Sequence, residues 1–350
     1  MTKHGETKKV MVGNVPVGGG SPISVQSMLS VPAWDIQGNV EQAVRLEKAG
    51  CEIIRVAVPT LEAAELVTAI KEKISIPLVA DIHFDYRIAL ACAERGVDKI
   101  RINPGNIGDQ KRVKAVADAC RMRGIPIRIG VNSGSVEKPI LEKYGSPTPQ
   151  ALCESALGHV KLLEECDFEE IVLSLKSSDV ATTVAAYRLI AEQCSYPLHL
   201  GVTEAGTLKA GLIKSAAGLG ALLLEGIGDT IRVSLTADPV EEVAAGRELL
   251  RALGLSNKGA SLVSCPTCGR TQIDLISLAG QVEEYLRGVD KPITVAVMGC
   301  AVNGPGEARE ADIGIAGGKG EGLLFKKGQI LRKVPEDKLL EELKREIELL

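Results

Sequence analysis

The sequence predicts an α/β protein in which a (β/α)8 TIM barrel is followed by a small α+β domain. Up to residue 240, short runs rich in β-branched residues alternate with stretches of helical periodicity. Glycine ends several helical stretches directly before the next run, as in Glu94-Arg-Gly96, which is typical of helix-to-strand connections. The alternation then stops. This predicts a barrel domain at residues 1–254, a linker at 255–261 and a second domain at 262–350.

The alternating region contains eight β-rich runs, the number that a closed (β/α)8 barrel requires. They cover residues 23–27, 53–58, 77–83, 99–103, 126–132, 170–176, 197–204 and 230–235. Thr148 and Pro149 predict the start of one intervening helix, with Thr as its N-cap. Residues 10–17 predict a small hairpin that plugs the bottom of the barrel. The active site of such a barrel lies at the C-terminal ends of its strands.

An Ile-Arg-aliphatic triplet recurs in four of the predicted strands. The arginines are Arg55, Arg101, Arg128 and Arg232. Helices cover the outer face of a barrel and strand side chains alternate, so each arginine should point into the lumen, as should Asn103, Asn132 and Ser234. A core carboxylate could satisfy any one of them, but four unpaired guanidiniums would destabilise the lumen. The lumen mouth is therefore predicted to bind a phosphate-rich molecule such as a diphosphate.

Further polar residues lie near the ends of the predicted strands. Asp81 and His83 share one strand face, Lys176 ends the sixth strand, and Glu204 ends the seventh. Each could be a structural hydrogen-bonding group, but their common location favours a role in the site. Glu204 is the candidate acid–base residue, because it would lie among cations and near a substrate oxygen.

Two segments of the second domain carry thiols: Cys265-Pro-Thr-Cys268, and Cys300 followed by Glu307. A Cys-x-x-Cys pair alone could be a redox pair, a disulfide or half of a zinc site. The third cysteine follows a predicted strand and enters a Gly/Pro-rich loop, which favours a [4Fe–4S] cluster over structural zinc. Glu307 is the candidate fourth ligand, a weak one among thiolates that a substrate atom could replace. A helix predicted to begin at Thr271 would favour the thiolate of Cys268.

Composition narrows the class of partner. The formal net charge of −4 and the 3% aromatic content argue against nucleic-acid binding. The sequence has no signal peptide and no run of eighteen apolar residues, so we expect a cytoplasmic protein that does not enter a membrane. The remaining six cysteines are expected to be small buried apolar residues. They are Cys51, Cys92, Cys120, Cys153, Cys166 and Cys194.

Nine segments of the chain match a known family. They are residues 24–28, 55–59, 80–84, 101–106, 128–134, 173–177, 200–206, 265–270 and 299–308, the last two being the most specific. Over essentially its whole length the chain resembles the bacterial 4-hydroxy-3-methylbut-2-enyl diphosphate synthases of the non-mevalonate isoprenoid pathway. The resemblance implies a two-electron reductive opening of 2-C-methyl-D-erythritol 2,4-cyclodiphosphate with loss of water.

The same resemblance implies roles for individual residues. Cys265, Cys268, Cys300 and Glu307 would ligate the cluster. The four barrel arginines would hold the cyclic diphosphate together with Asn132, Lys176 and Ser234, and His83 and Asn103 are further candidates on the strand ends.

The resemblance also implies a homodimer in which the cluster domain of one subunit caps the barrel of the other. A Gly-x-Gly-x-x-Gly fingerprint for a nicotinamide is missing from the sequence, so the expected electron donor is a flavodoxin or ferredoxin. Two other classes stay open. One is a barrel lyase or aldolase with a zinc-stapled second domain and Lys176 as the Schiff-base nucleophile. The other is a cluster-bearing sensor.

Overall fold

The computed structural model describes residues 2–300 and 308–350. The chain divides into two compact units, residues 1–256 and residues 257–350. A search of the described residues finds no helix long and apolar enough to cross a membrane.

The first unit is built on eight parallel strands, which confirms the predicted barrel. They are β3 (Ser24–Met28), β4 (Ile53–Ala57), β5 (Leu78–Asp81), β6 (Lys99–Ile102), β7 (Ile127–Asn132), β8 (Ile171–Lys176), β9 (His199–Leu200) and β10 (Thr230–Ile231). The strand order is β8-β7-β6-β5-β4-β3-β10-β9. The two ends of this order also meet. Leu173 of β8 forms an isolated parallel bridge with Leu198, which directly precedes β9, and this bridge closes the barrel. β9 and β10 are shorter than predicted, because only two residues of each take part in the ladder between them.

Helices follow the strands and cover the outside of the barrel. They are α1 (Ile36–Lys48), α2 (Glu65–Lys71), α3 (Tyr86–Glu94), α4 (Pro104–Ile107), α5 (Gln110–Arg123), α6 (Lys138–Tyr144), α7 (Pro149–Glu164), α8 (Val180–Gln193), α9 (Leu208–Leu224) and α10 (Pro239–Ala252). Thr148 caps α7 as predicted, with its side chain accepting from the N–H of Ala151. Asp35, Asp179 and Asp238 cap α1, α8 and α10 in the same way, so in these three loops a single side chain fixes the helix start.

The predicted hairpin is present as β1 (Val10–Val12) and β2 (Val15–Val17), which pair antiparallel. Val12 and Val17 are fully buried and pack against Ile53 and Val79 from the bottom of β4 and β5. This apolar contact closes the barrel at the end opposite its strand C-termini, so the lumen opens at the other end.

The second unit is an α+β domain with a five-stranded mixed sheet. Its strands are β11 (Ser261–Ser264), β12 (Thr294–Met298), β13 (Ile313–Gly317), β14 (Glu321–Lys326) and β15 (Gln329–Pro335), in sequential order. The first three are parallel and the last three antiparallel. Helices α11 (Leu275–Leu286) and α12 (Leu339–Glu348) pack on it through Val282 and Leu343. The helix predicted from Thr271 begins at Leu275 instead, because Asp274 provides the N-cap.

Candidate active site

A pocket at the mouth of the barrel is lined almost entirely by polar side chains. Eleven residues line it: Arg55, Asp81, His83, Arg101, Arg128, Asn132, Ser174, Lys176, Thr203, Arg232 and Ser234. The cavity volume is about 110 Å3. Eight of the nine predicted substrate-binding residues are among the eleven, and Asn103 is not. Five of the lining side chains are basic and one, Asp81, is a carboxylate.

Strand alternation places these side chains in the lumen. Arg128 of β7 pairs in register with Arg101 of β6, and Arg101 pairs with Asp81 of β5. The residues between them, such as Ile127 and Ile129, are buried in the apolar layer with the helices. In a barrel of this kind, residues at one level come from alternate strands. The registers therefore put Arg55, Arg101, Ser174 and Arg232 on one level, with Arg128 on the level beneath.

Asp81 organises two of the arginines. Nη1 of Arg101 lies 3.0 Å from its Oδ1, and Nε of Arg55 lies 3.7 Å from its Oδ2. Burial raises the pKa of Asp81, but the charges of Arg55 and Arg101 outweigh this effect and lower it to about 2. Burial lowers the pKa of Arg55 to about 10, so both partners stay charged at neutral pH. The ion pairs hold the guanidiniums in place without neutralising the pocket.

Arg232 is held from the side by Glu242 of α10. Its Nε and Nη2 each lie 3.1 Å from a different carboxylate oxygen of Glu242, a bidentate arrangement. Glu242 also accepts hydrogen bonds from Ser27 Oγ at 2.9 Å and from the N–H of Leu235 at 3.0 Å. Asp81 and Glu242 are thus the structural partners of three arginines, and Arg232 keeps one fixed orientation.

Arg128 and Lys176 have no such partner among the described residues. Nη1 of Arg128 donates to Ser174 Oγ at 2.8 Å, and no ion pair of either side chain is found. Burial, followed by the charges of Arg128, Arg55, Arg232 and Arg101, lowers the pKa of Lys176 well below its usual value. An anionic ligand would relieve this repulsion, which is the electrostatic condition for binding a phosphate group.

Two lining residues, Ser174 and Thr203, lie outside the predicted set. Ser174 is two residues before Lys176 on β8, so the same alternation could have identified it.

Two glycines make room for the long side chains. A Cβ at Gly130 would collide with the guanidinium of Arg101, and a Cβ at Gly201 would lie 2.6 Å from Nζ of Lys176. Gly130 and Gly201 therefore leave the space that the side chains of Arg101 and Lys176 occupy.

Asn103 and Glu204 lie outside the pocket lining. The Asn103 side chain is buried and accepts from the N–H of Gly105 at 3.1 Å, so it caps α4. Glu204 is exposed and has a φ of +51°, in the left-handed region that non-glycine residues seldom adopt. It lies directly after the lining residue Thr203. The roles predicted for both residues remain predictions.

In the second unit, sheet topology brings the cysteine segments together. β11 and β12 are parallel neighbours, with Ser264 paired to Val297, and Cys265 and Cys300 follow their respective C-terminal ends. The N–H of Gly299 donates to Cys265 Sγ at 3.1 Å. Cys300 is buried, Cys265 half-buried and Cys268 exposed. Glu307, the predicted fourth ligand, lies outside the described residues.

The pKa of Cys268 is lowered, as expected, but by a different cause. The backbone N–H and side chain of Arg270 lower it, with help from the Thr271 hydroxyl. The predicted cause was the start of a helix, and this was wrong because α11 begins four residues later. The other six cysteines are free thiols, with five of them buried and Cys194 partly so, close to expectation.

The donor set fits an iron–sulfur cluster. Three thiols lie on segments that leave the same edge of the sheet, one of them already accepts a backbone N–H bond, and such bonds are typical around cluster sulfurs. Within residues 2–300 and 308–350, no three His, Cys, Asp or Glu side chains converge on a single metal-ion site. That finding does not bear on a cluster, because each of its ligands binds a separate iron.

Comparison with known proteins identifies the family. The family model described as the GcpE TIM-barrel domain matches residues 7–247, and the GcpE protein C-terminal domain matches residues 261–349. Relatives from Bacillus cereus (strain G9842) and Bacillus mycoides (strain KBAB4) are each 59% identical over 350 residues, covering 100% of this chain and 95% and 96% of theirs. Both are named 4-hydroxy-3-methylbut-2-en-1-yl diphosphate synthase (flavodoxin).

Solved structures show the barrel fold alone. Dihydropteroate synthase from Stenotrophomonas maltophilia aligns with a TM-score of 0.54 and 12% identity, over 71% of this chain and 97% of its own. The enzyme from Coxiella burnetii gives a TM-score of 0.50 and 12% identity, over 70% and 97%.

Fold and site together define a TIM-barrel enzyme with a strongly basic pocket at the barrel mouth and a separate thiol-bearing domain. The chain belongs to the GcpE family across both units.

Proposed function

We propose that the protein reduces 2-C-methyl-D-erythritol 2,4-cyclodiphosphate to 4-hydroxy-3-methylbut-2-enyl diphosphate, opening the ring with loss of water. The family and the names of the relatives support this oxidoreductase activity. The structural observation that carries the proposal is the charge of the pocket, where five basic side chains surround one carboxylate. A cyclic diphosphate supplies the missing negative charge.

The basic residues have distinct tasks in binding. Arg101 and Arg232 are oriented by Asp81 and Glu242, so their remaining N–H groups are fixed for phosphate oxygens. Lys176 and Arg128 contribute charge that no carboxylate of the described chain neutralises. Asn132 and Ser234 add neutral hydrogen-bonding groups to the same pocket, and His83 lies at its edge, with its Nε2 3.5 Å from Arg101. Asn103 acts from outside the lining by fixing the loop after β6.

When bound by Cys265, Cys268, Cys300 and Glu307, a [4Fe–4S] cluster supplies the two electrons one at a time. Glu204 is the proposed proton donor to the departing hydroxyl. Its exposed position after Thr203 allows it to exchange protons with solvent, and its left-handed backbone conformation is of the strained kind that clusters at functional sites.

A flavodoxin is the proposed electron donor, because the relatives carry it in their names, and a ferredoxin is the alternative. The protein is proposed to act in the cytoplasm. We also propose the domains at residues 1–254 and 262–350 as the functional units, and a homodimer with active sites shared between subunits.

The test of the reaction is anaerobic turnover of the cyclodiphosphate with reduced flavodoxin. The expected result is formation of the linear diphosphate by a brown protein that contains iron and sulfide. A colourless, zinc-loaded protein that does not consume the cyclodiphosphate would contradict the proposal. Borohydride trapping on Lys176 would then favour a Schiff-base lyase.

A mixing experiment tests the shared site. A Cys268→Ser chain, which keeps its barrel, is refolded together with an Arg128→Ala chain, which keeps its thiols. If sites form between subunits, each mixed dimer contains one intact site and random pairing restores about one quarter of full activity. If each chain builds its own site, every site carries a lesion and mixing restores nothing.

A further inference from the structure

Beneath the pocket, the barrel contains a level of buried polar side chains. We call it the lower lumen and define it by Gln26, Lys99, Arg128 and His199. Their exposed fractions are 0%, 0%, 1% and 0%. Lys99 lies two residues before Arg101 on β6, and His199 lies four residues before Thr203 on β9. Strand alternation therefore points both side chains into the lumen, as it does the pocket residues above them.

The lower lumen is bordered by apolar side chains. Ile53 pairs in register with Gln26, Val79 pairs in register with Lys99, and both belong to the apolar cluster formed with the hairpin valines Val12 and Val17. Above it is the level of Arg55, Arg101, Ser174 and Arg232. Arg128 connects the two levels, since its Nη1 donates upward to Ser174 Oγ at 2.8 Å.

Many polar atoms of the lower lumen have no hydrogen-bond partner within the described chain. They are Nζ of Lys99, both ring nitrogens of His199, both amide atoms of Gln26, and Nε and Nη2 of Arg128. Nε and Nη2 form one edge of the guanidinium, the fork that normally binds an anion with two parallel hydrogen bonds. Both atoms are buried, so this edge faces the interior of the barrel and not the solvent-accessible pocket.

In the lower lumen, unpaired hydrogen-bond donors outnumber unpaired hydrogen-bond acceptors. Arg128 and Lys99 supply N–H groups, and the carboxylates nearest in the lumen are already engaged, Asp81 with Arg101 and Glu242 with Arg232. Loss of a proton would not resolve the deficit, because a neutral lysine still has two N–H groups and Arg128 still has its fork. Buried unsatisfied donors are strongly destabilising, so a bound species that accepts several N–H bonds at once would stabilise this part of the lumen.

We propose that the lower lumen binds a small monovalent inorganic anion of the halide class, held by N–H groups of Lys99, Arg128, His199 and Gln26. Larger anions are not expected there, because each of the four defining side chains is at most 1% exposed. Burial, with Arg128 and Arg55, lowers the pKa of Lys99, and burial, with Arg128, Lys176, Lys99 and Arg55, lowers that of His199. The anion counteracts these charges and fixes Arg128 from below while Ser174 fixes it from above.

Anomalous diffraction from crystals of the full chain grown in sodium bromide tests the location. The expected result is a bromide peak enclosed by Lys99, His199 and the Nε–Nη2 edge of Arg128. A lumen that contains only water at this level, or bromide only in the upper pocket between Arg55, Arg101 and Arg232, would overturn the proposal.

Thermal unfolding in solution tests whether the anion is bound specifically. Chloride replaces gluconate at constant ionic strength. The Tm of the wild-type protein should rise by about 2–4 °C and reach a plateau as the chloride concentration increases. Lys99→Met should lose this dependence, and His199→Asn serves as a second variant if Lys99→Met does not fold. Lys161→Met, on the exposed face of α7, is the matched control and should keep it. A bromide peak without any saturable effect on Tm would identify an adventitious ion only and refute the site.

Discussion

The two units of this protein place their chemical groups in different ways. In the barrel, the candidate ligand-binding side chains belong to strands, are largely buried, and are fixed by neighbours such as Asp81 and Glu242. In the second unit, the thiols follow strand ends and sit in loops, and Cys268 is exposed. The barrel site is thus formed before its ligand arrives. The thiols have fewer fixed neighbours, the N–H of Gly299 on Cys265 being one of them.

This difference separates the effects of mutation. A change in a barrel side chain acts on charge and hydrogen bonding within a packed lumen, so binding and stability can both respond. A change in a thiol acts mainly on the ligand it holds, although Cys265 also packs against both apolar clusters of the second unit. The predictions below use this contrast.

The largest effect is expected from the thiols. Cys265→Ser, Cys268→Ser and Cys300→Ser should each abolish cluster binding and reduce turnover to background, because serine is a poor ligand for iron in a cluster. The barrel has its own core and should keep its helical signal. Visible absorption, iron content and circular dichroism measure these outcomes. Cys194→Ser is the control and should retain the cluster, whereas full colour in all three ligand variants would show that the ligands are misassigned.

A smaller but still large effect is expected from two arginines. Arg128→Ala and Arg232→Ala should each weaken binding of the cyclodiphosphate by about 1.5–3 kcal/mol, or roughly 10- to 150-fold in Kd. Arg232→Ala should also destabilise the barrel, and more than Arg128→Ala does, by about 3–5 kcal/mol, because it leaves the buried carboxylate of Glu242 without its cation. Calorimetric titration and urea unfolding measure the two effects.

The control for the arginine pair is Arg123→Ala, which removes an exposed guanidinium from the end of α5. This variant should change neither the Kd for the cyclodiphosphate nor the free energy of unfolding. Equal losses of stability in Arg128→Ala and Arg232→Ala would show that Arg128 has a carboxylate partner after all. Unchanged binding in both would mean that the arginines are structural.

Most of the barrel and its pocket could be predicted from sequence, for a physical reason. Parallel strands covered by helices are apolar on their outer face. An Arg within such a strand can therefore lie only on the inward face. Asn103 shows where this argument ends. The alternation of strand faces predicts that Asn103 points inward, but its side chain caps α4. An Asn directly before a Pro-Gly turn finds a backbone N–H close by.

The second unit was less predictable. The Cys-x-x-Cys spacing indicated a ligand set, but the contact between Cys265 and Gly299 depends on β11 and β12 being parallel neighbours, which no local pattern encodes. The start of α11 was predicted four residues early for a similar reason. Thr271 and Asp274 are both good caps, and only tertiary packing selects the second.

A moderate effect of pH on binding is expected from Lys176. Burial and four arginines lower its pKa in the free protein, and a bound diphosphate adds negative charge that raises it again. Binding should therefore take up protons, and affinity should increase as pH falls. Calorimetry in buffers of different ionisation enthalpy counts these protons. Lys176→Met should bind less tightly with reduced proton uptake, and wild-type binding without proton uptake would contradict the assignment.

The smallest effect concerns the bottom of the barrel, where a titrating group acts on stability and not on binding. Nδ1 of His4 lies 2.6 Å from Oδ1 of Asp229, whose other oxygen accepts from the N–H of Leu198 at 2.7 Å. The hydrogen bond to Asp229 raises the pKa of His4 despite its partial burial. A raised folded-state pKa stabilises the protein fully below the unfolded value of about 6.5 and progressively less as pH rises through the folded value. His4→Gln should therefore lower the free energy of unfolding by about 1 kcal/mol at pH 6 and by less at pH 9. Urea unfolding at both pH values measures this difference, and a cost for His4→Gln that stays constant or grows with pH would show that protonated His4 does not stabilise the fold.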